Sequence, residues 1–134
     1  MLGRILAGTD VLEKSLDAAL LRNEAISQNI ANVDTPGYKR KTVAFEEYLN
    51  DARAKIKGIR TRPEHIPVGA RDVMDIDIKV SEDRSSLSMR LDENNVDIEE
   101  EMAQMAKNTI KYYLLTQKIS GDFNKIKSVI KEGR

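Results

Sequence analysis

ISQNIANVDTPGYKRK, residues Ile26 to Lys41, is the point at which a long apolar periodicity stops. Pro36 has no amide to give to a helix interior, and it pushes Thr35, the residue before it, towards extended backbone. Gly37 can take positive φ at the third position of a type II turn over Thr35-Pro36-Gly37-Tyr38. The stretch therefore predicts a helix closing near Val33 and a tight turn that redirects the chain.

Upstream of it, Leu2, Ile5, Thr9, Leu12, Leu16, Ala19, Asn23, Ile26, Ile30 and Val33 recur in steps of three and four, the a/d seam of a coiled coil. Gly3 and Gly8 weaken the first turns, and Asp10 with Glu13 has the spacing of a capping box. Firm helix is expected from Val11 to Val33, with residues 1–9 a looser extension. Asn23 is a polar residue inside the seam, either tolerated there or setting register against a partner helix.

The end of the chain mirrors its start. Ile98, Met102, Met105, Thr109, Tyr112, Thr116, Ile119, Phe123, Ile126 and Ile130 step by fours and threes. Asp97 is placed as an N-cap with Glu100 at the capping-box position, while Glu99 to Glu101 suit the positive end of a helix dipole. Lysines 125, 127 and 131 suit the negative end. A helix over Ile98–Glu132 would be roughly 50 Å long.

Between the two, residues 39–91 form an insert. Lys39, Arg40 and Lys41 read as a solvated or anion-facing loop, since no aromatics are interleaved with them. Phe45, Tyr48, Leu49, Ala52 and Ile56 have helical spacing, which predicts a short helix over Val43–Lys57. Gly58, Pro63, Pro67 and Gly69 mark loop. Met74, Ile76, Ile78 and Val80 alternate with polar residues, as do Leu87, Met89 and Leu91, which predicts a β-hairpin turning at Ser81–Ser86. The fold class expected is mainly α: long terminal helices paired like a coiled coil, residues 1–38 and 92–134, around a small insert with a short helix and a hairpin.

Composition narrows the function. Charged residues make up 33% of the chain and hydrophobic ones 40%, which suits a helix-rich chain without a run of the ~18 apolar residues a spanning helix needs. Net charge is +0, so no overall field draws the chain to nucleic acid. Cysteine is absent and the one histidine, His65, lies between two prolines, so neither a thiolate nor a histidine metal centre is expected. Asp75 and Asp77 share only the polar face of a strand. No cofactor, metal or catalytic residue is expected. Residues off the seams, among them Leu20, Leu21, Ile110, Tyr113, Leu114, Leu115 and Val129, would leave a larger apolar surface than a small monomer carries, which asks for partner chains.

The block Asn29-Ile30-Ala31-Asn32, followed by Thr35-Pro36-Gly37-Tyr38-Lys39, resembles the N-terminal signature of the bacterial flagellar axial proteins, the rod and hook subunits. The C-terminal block NNVDIEEEMAQMAKNTIKYY, Asn94 to Tyr113, and the closing Glu132-Gly133-Arg134 resemble a rod branch of that family other than FlgC. The chain departs at Glu93, where the family pattern reads D-G-N; if that turn needs positive φ, Asn94 or Asn95 is expected to carry it.

The resemblance implies a structural subunit of the proximal rod, exported without a cleaved signal peptide to the periplasmic part of the flagellar basal body. Its partners would be copies of itself, the rod proteins FlgC, FlgF and FlgG, the adapter FliE, the MS-ring protein FliF and the flagellar type III export apparatus. Assembly would run through the seam residues Leu12, Leu16, Ala19, Asn23, Ile26, Ile30 and Val33 of the first helix. On the last helix they are Ile98, Met102, Met105, Tyr112, Ile119, Phe123, Ile126 and Ile130. The alternative is a cytoplasmic coiled-coil adaptor or chaperone.

Overall fold

The computed structural model describes the backbone of residues 2–54, 62, 77–83 and 92–132, and the side chains of 8–50, 62, 77–83 and 92–131. Its elements are α1 (Leu2–Ala31), β1 (Lys41–Ala44), α2 (Glu46–Ala54), β2 (Lys79–Glu82) and α3 (Ile98–Glu132). The long helices pack antiparallel. Asn29, near the end of α1, meets Glu101 at the start of α3, and Ala19 meets Asn108 two turns further along.

α1 starts earlier than the Asp10 and Glu13 spacing indicates, running unbroken from Leu2 through both residues. A glycine such as Gly8 costs a helix about 1 kcal/mol, too little to break one that continues on both sides. The helix also closes two residues before Val33. Its end tightens, with the Asn32 amide donating to Gln28 and Asn29 carbonyls at 3.2 and 3.1 Å and the Val33 amide to Ile30 at 3.3 Å.

The turn that follows is the type II turn the proline and glycine predict. Gly37 has φ +72° and the Tyr38 amide donates to the Thr35 carbonyl at 3.3 Å.

In the insert, the antiparallel pair has different partners from those expected. β1 pairs with β2, Lys41 opposite Glu82 and Val43 opposite Val80, so Ser81 and Glu82 lie in a strand rather than in a hairpin turn. β1 is only four residues long, too short for alternation to reveal, and it took the place of the first residues assigned to the short helix. α2 accordingly begins at Glu46, with the Phe45 carbonyl accepting the Leu49 amide at 2.9 Å. The proposed strand at 87–91, the loop prolines, His65 and Asp75 lie outside the described residues.

The buried apolar residues are few and small. Ala18, Ala19, Ala25 and Ile26 on α1, Val43, Phe45 and Val96 make up the buried apolar set among the described residues. Phe45 is the largest of them, 2% exposed, and it sits on Ala18 with Leu49 and Ile78 closing around it. Alanines on α1 leave room for that ring; the sequence put Phe45 on a helix face, but it plugs the corner between α1, β1 and α2.

Candidate assembly interface and polar junction

The segment Asn29–Lys41 closes against residues 92–101 through polar contacts. The Asn29 side chain is fully buried. Its amide nitrogen donates to the Lys41 carbonyl at 2.9 Å and to Glu101 Oε2 at 3.0 Å, and its oxygen accepts from the Lys41 amide at 2.8 Å and the Tyr38 hydroxyl at 3.2 Å. Asn29 thus meets both backbone groups of Lys41 as a neighbouring strand would, which fixes β1 to α1.

Glu101 is buried too, 1% exposed, and Arg40 Nε lies 2.6 Å from its Oε1, while Arg40 NH2 reaches Glu100 Oε1 at 3.0 Å. Burial works against the Arg40 guanidinium, but the two glutamates outweigh it and raise its pKa further. Arg40 is therefore a half-buried counter-ion, which is the anion-facing of the two expected readings and not the solvated one. Burial, and then the negative charges of Glu101 and Glu82, push the Tyr38 hydroxyl up as well. Lys39 donates to the Glu93 carbonyl at 2.6 Å, and Lys41 Nζ to Gln28 at 2.8 Å.

Asn94, 1% exposed, caps the end of α1 from the far side of the chain. Its amide nitrogen lies 3.0, 3.0 and 2.8 Å from the carbonyls of Asn32, Val33 and Thr35, and its oxygen accepts the Val96 amide at 2.8 Å. The chain just past a helix C-terminus carries carbonyls outside the helical ladder, and here a residue 61 positions beyond Val33 supplies them with a donor. Asn95 bridges the Arg40 amide and the Asp83 carbonyl, both at 2.7 Å. With both asparagines locked, the positive φ falls on Glu93 itself, at +61°, and not on Asn94 or Asn95. The Gly37 amide completes the junction by donating to the Asp92 carbonyl at 2.8 Å.

Asp97 does cap α3, its carboxylate accepting the Glu99 and Glu100 amides at 2.9 and 3.4 Å. Glu100 does not return the bond as a capping box would; its carboxylate turns to Arg40.

A second polar knot ties the three helices together. Arg22 reaches Glu46 Oε2 at 2.6 Å, Asn108 Oδ1 at 3.3 Å and the Val43 carbonyl at 3.4 Å. Asn108 donates to the Ala19 carbonyl at 2.8 Å and to Asn23 Oδ1 at 2.7 Å, and Lys111 pairs with Glu46. Burial would raise the pKa of Glu46, but hydrogen bonds from Lys111 and Arg22 prevail and hold it at about 2.

The seam residues divide by placement. On α1, Ala19 and Ile26 are buried and Leu12, Leu16, Asn23, Ile30 and, past its end, Val33 are half-buried. On α3 the burial follows Glu101, Met105, Asn108, Tyr112, Leu115, Ile119, Asp122 and Ile126, again in fours and threes. Only the row Met105, Tyr112, Ile119 and Ile126 belongs to the seam read from sequence. The other row is turned outward, with Met102 60%, Phe123 57% and Ile130 70% exposed, while Ile98, at the head of the first row and the start of α3, is 44% exposed. Glu101 and Asn108 are invisible to periodicity because a buried polar residue carries no apolar period. Of the turn block, Thr35, Pro36 and Gly37 are exposed, as is Ala31; Ile30, Asn32 and Tyr38 are half-buried.

Among the described residues no His, Cys, Asp or Glu group is placed to hold a metal, and no helix is long and apolar enough to cross a membrane. What the molecule offers is surface: two long helices joined by polar contacts, with apolar side chains left outside.

Residues 10–39, from mid-α1 to the type II turn, match the family described as flagella basal body rod protein. Over nearly the whole chain it is similar to curated relatives. It is 36% identical to the flagellar basal body rod protein FlgB of Bacillus subtilis, covering 92% of each chain, and 35% identical to that of Borrelia hermsii, covering 91% of this chain and 94% of the relative. To the Escherichia coli FlgB the identity is 28% over 99% of each. The chain belongs to the flagellar basal body rod protein FlgB family.

Proposed function

We propose that the chain is a structural subunit of the proximal rod, the torque-transmitting shaft of the basal body, which it builds through α1 and α3 without catalysis. The observation that carries this reading is the outward apolar row of α3 in a chain related to rod proteins along more than nine-tenths of its length. Exposed apolar surface of this extent marks an interaction site, and many such contacts in parallel resist torque. On this reading the outward seam residues Met102, Phe123 and Ile130 lie at contacts between subunits, while Ala19 and Ile26 are buried within the chain, and residues 1–38 with 92–134 form the rod core. The partners are copies of the chain, the rod proteins FlgC, FlgF and FlgG, the adapter FliE and the MS-ring protein FliF. The chain reaches the periplasm through the type III export apparatus without a cleaved signal.

The test is a tagged chain in a deletion strain. It should be recovered in purified basal bodies and restore swimming; a chain that stays in the cytoplasm of swimming cells would instead be an adaptor or chaperone.

A further inference from the structure

α3 carries two stripes on opposite sides. One faces α1. The other, centred about half a turn away, holds Met102, Ala106, Ile110, Tyr113 and Leu114, with Met102 60%, Ile110 64%, Tyr113 62% and Leu114 58% exposed. Exposed Lys107 and Lys118 flank this outer stripe. The outer face of α1 has the opposite character. Glu13, Asp17 and Glu24 are exposed along it, the single large apolar residue among them is Leu20, 51% exposed, and Ser27 and Ala31 keep the rest shallow.

The two faces also match in spacing. Glu13 and Glu24 are eleven residues apart, as are Lys107 and Lys118, about 16 Å along a helix and close to three turns, so each pair stays on one side. Laying Glu13 and Glu24 against the two lysines brings Leu20 opposite Leu114 if the helices run parallel, and beside Ile110 and Lys111 if they run antiparallel. In the parallel direction the one exposed leucine of α1 lands on the apolar stripe of α3, and in the antiparallel direction it lies one residue from Ile110 at the edge of that stripe.

We propose that the outer stripe of α3 binds the outer acidic face of α1 from a second copy of this chain. The contact is heterologous, joining two different surfaces, so each bound copy presents a fresh α3 stripe to the next and the contact propagates into a ring or helical array. The inference rests on the rod-subunit reading and names which face meets which. A single pair of helices is a small interface, and its role is to set order among neighbours that other contacts also hold.

The chain has no cysteine, so two introduced ones report on each other alone. Basal bodies carrying Leu20→Cys with Ile110→Cys, treated with a flexible bis-maleimide, should give a ladder of linked copies, whereas each single variant should give none. Separately, Glu13→Lys with Glu24→Lys should reduce swimming at least tenfold in spreading rate, as should Lys107→Glu with Lys118→Glu, and all four changes in one chain should restore it. All of these side chains are exposed, so helix content by circular dichroism should be unchanged, and a variant whose helix content falls is replaced by its Gln counterpart. No ladder, a ladder from one cysteine, a link only to a different protein, or no rescue by the fourfold exchange would each overturn the pairing. If the wild-type chain is absent from basal bodies, the rod reading itself fails.

Discussion

Among the described residues Gly37 and Glu93 are the two in the left-handed region, and they come together at the junction, where the Gly37 amide donates to the carbonyl of Asp92, the neighbour of Glu93. At Gly37 a side chain would meet nothing within 4 Å, so the only cost of substitution there is backbone strain. Gly37→Val should cost about 1–3 kcal/mol, and Gly37→Asn less, because asparagine tolerates positive φ. Swimming and rod incorporation of the two variants, compared with secreted subunit levels, should rank Asn above Val; equal function would rule the turn geometry out as a determinant. Glu93 holds φ +61° although its side chain has no preference for it. Glu93→Gly should therefore stabilise the junction, by about 1 kcal/mol in a thermal melt. A destabilised variant would mean that the Glu93 side chain itself supports the loop.

At the scale of elements, the contacts that matter join the end of α1 to the start of α3, and they are polar. Asn94→Ala would take one shared donor from the carbonyls of Asn32, Val33 and Thr35, of which Asn32 and Thr35 keep a backbone amide, at a cost of about 1 kcal/mol. Asn94→Asp should be at least as harmful, since it sets a carboxylate against three carbonyl oxygens. Amide exchange over residues 28–38 should speed up in both, and unchanged exchange would show that the cap is dispensable. Glu46 gives the three-helix knot a pH dependence. Its pKa in the folded chain, about 2, lies below the ordinary 4.5, so its contribution is complete above about pH 4.5 and is lost as pH falls towards 2. The carboxylate is 44% exposed, so solvent screens the pair and the contribution is about 1 kcal/mol or less. Glu46→Gln should remove that part of the acid dependence, while a melt with the same pH slope as wild type would place the dependence elsewhere.

For the molecule as a whole, the imbalance is between long helices and little apolar burial. The described core is seven apolar residues, three of them alanine, beneath helices of 30 and 35 residues. Isolated helices depend on packing for most of their stability. The free subunit should keep slow amide exchange near Asn29, Asn94 and Glu101 and exchange fast beyond about residue 120, where Phe123, Val129 and Ile130 are exposed. Its far-ultraviolet dichroism should report less helix than the assembled rod. A dilute subunit protected along all of α3 would show that the chain does not need neighbours to hold that helix.

Periodicity in the amino-acid sequence was enough to determine two long terminal helices, the turn at Pro36–Gly37 and the N-cap at Asp97, because each of these is local: a repeat, a fixed φ, a short side chain before a helix. The excess of apolar residues also announced that the chain needs partners. What only the tertiary structure decided is the side of α3 that turns to α1, the four-residue strand β1 and the residues that seal the junction. By sequence Glu101 reads as an acid at a helix start and Arg40 as part of a basic loop, while Asn108 carries no signal. Their roles come from groups brought together from 61 to 89 positions away, such as Arg40 at Glu101 and Ala19 at Asn108, and a buried polar contact leaves no period in the sequence because its partner is fixed by packing alone.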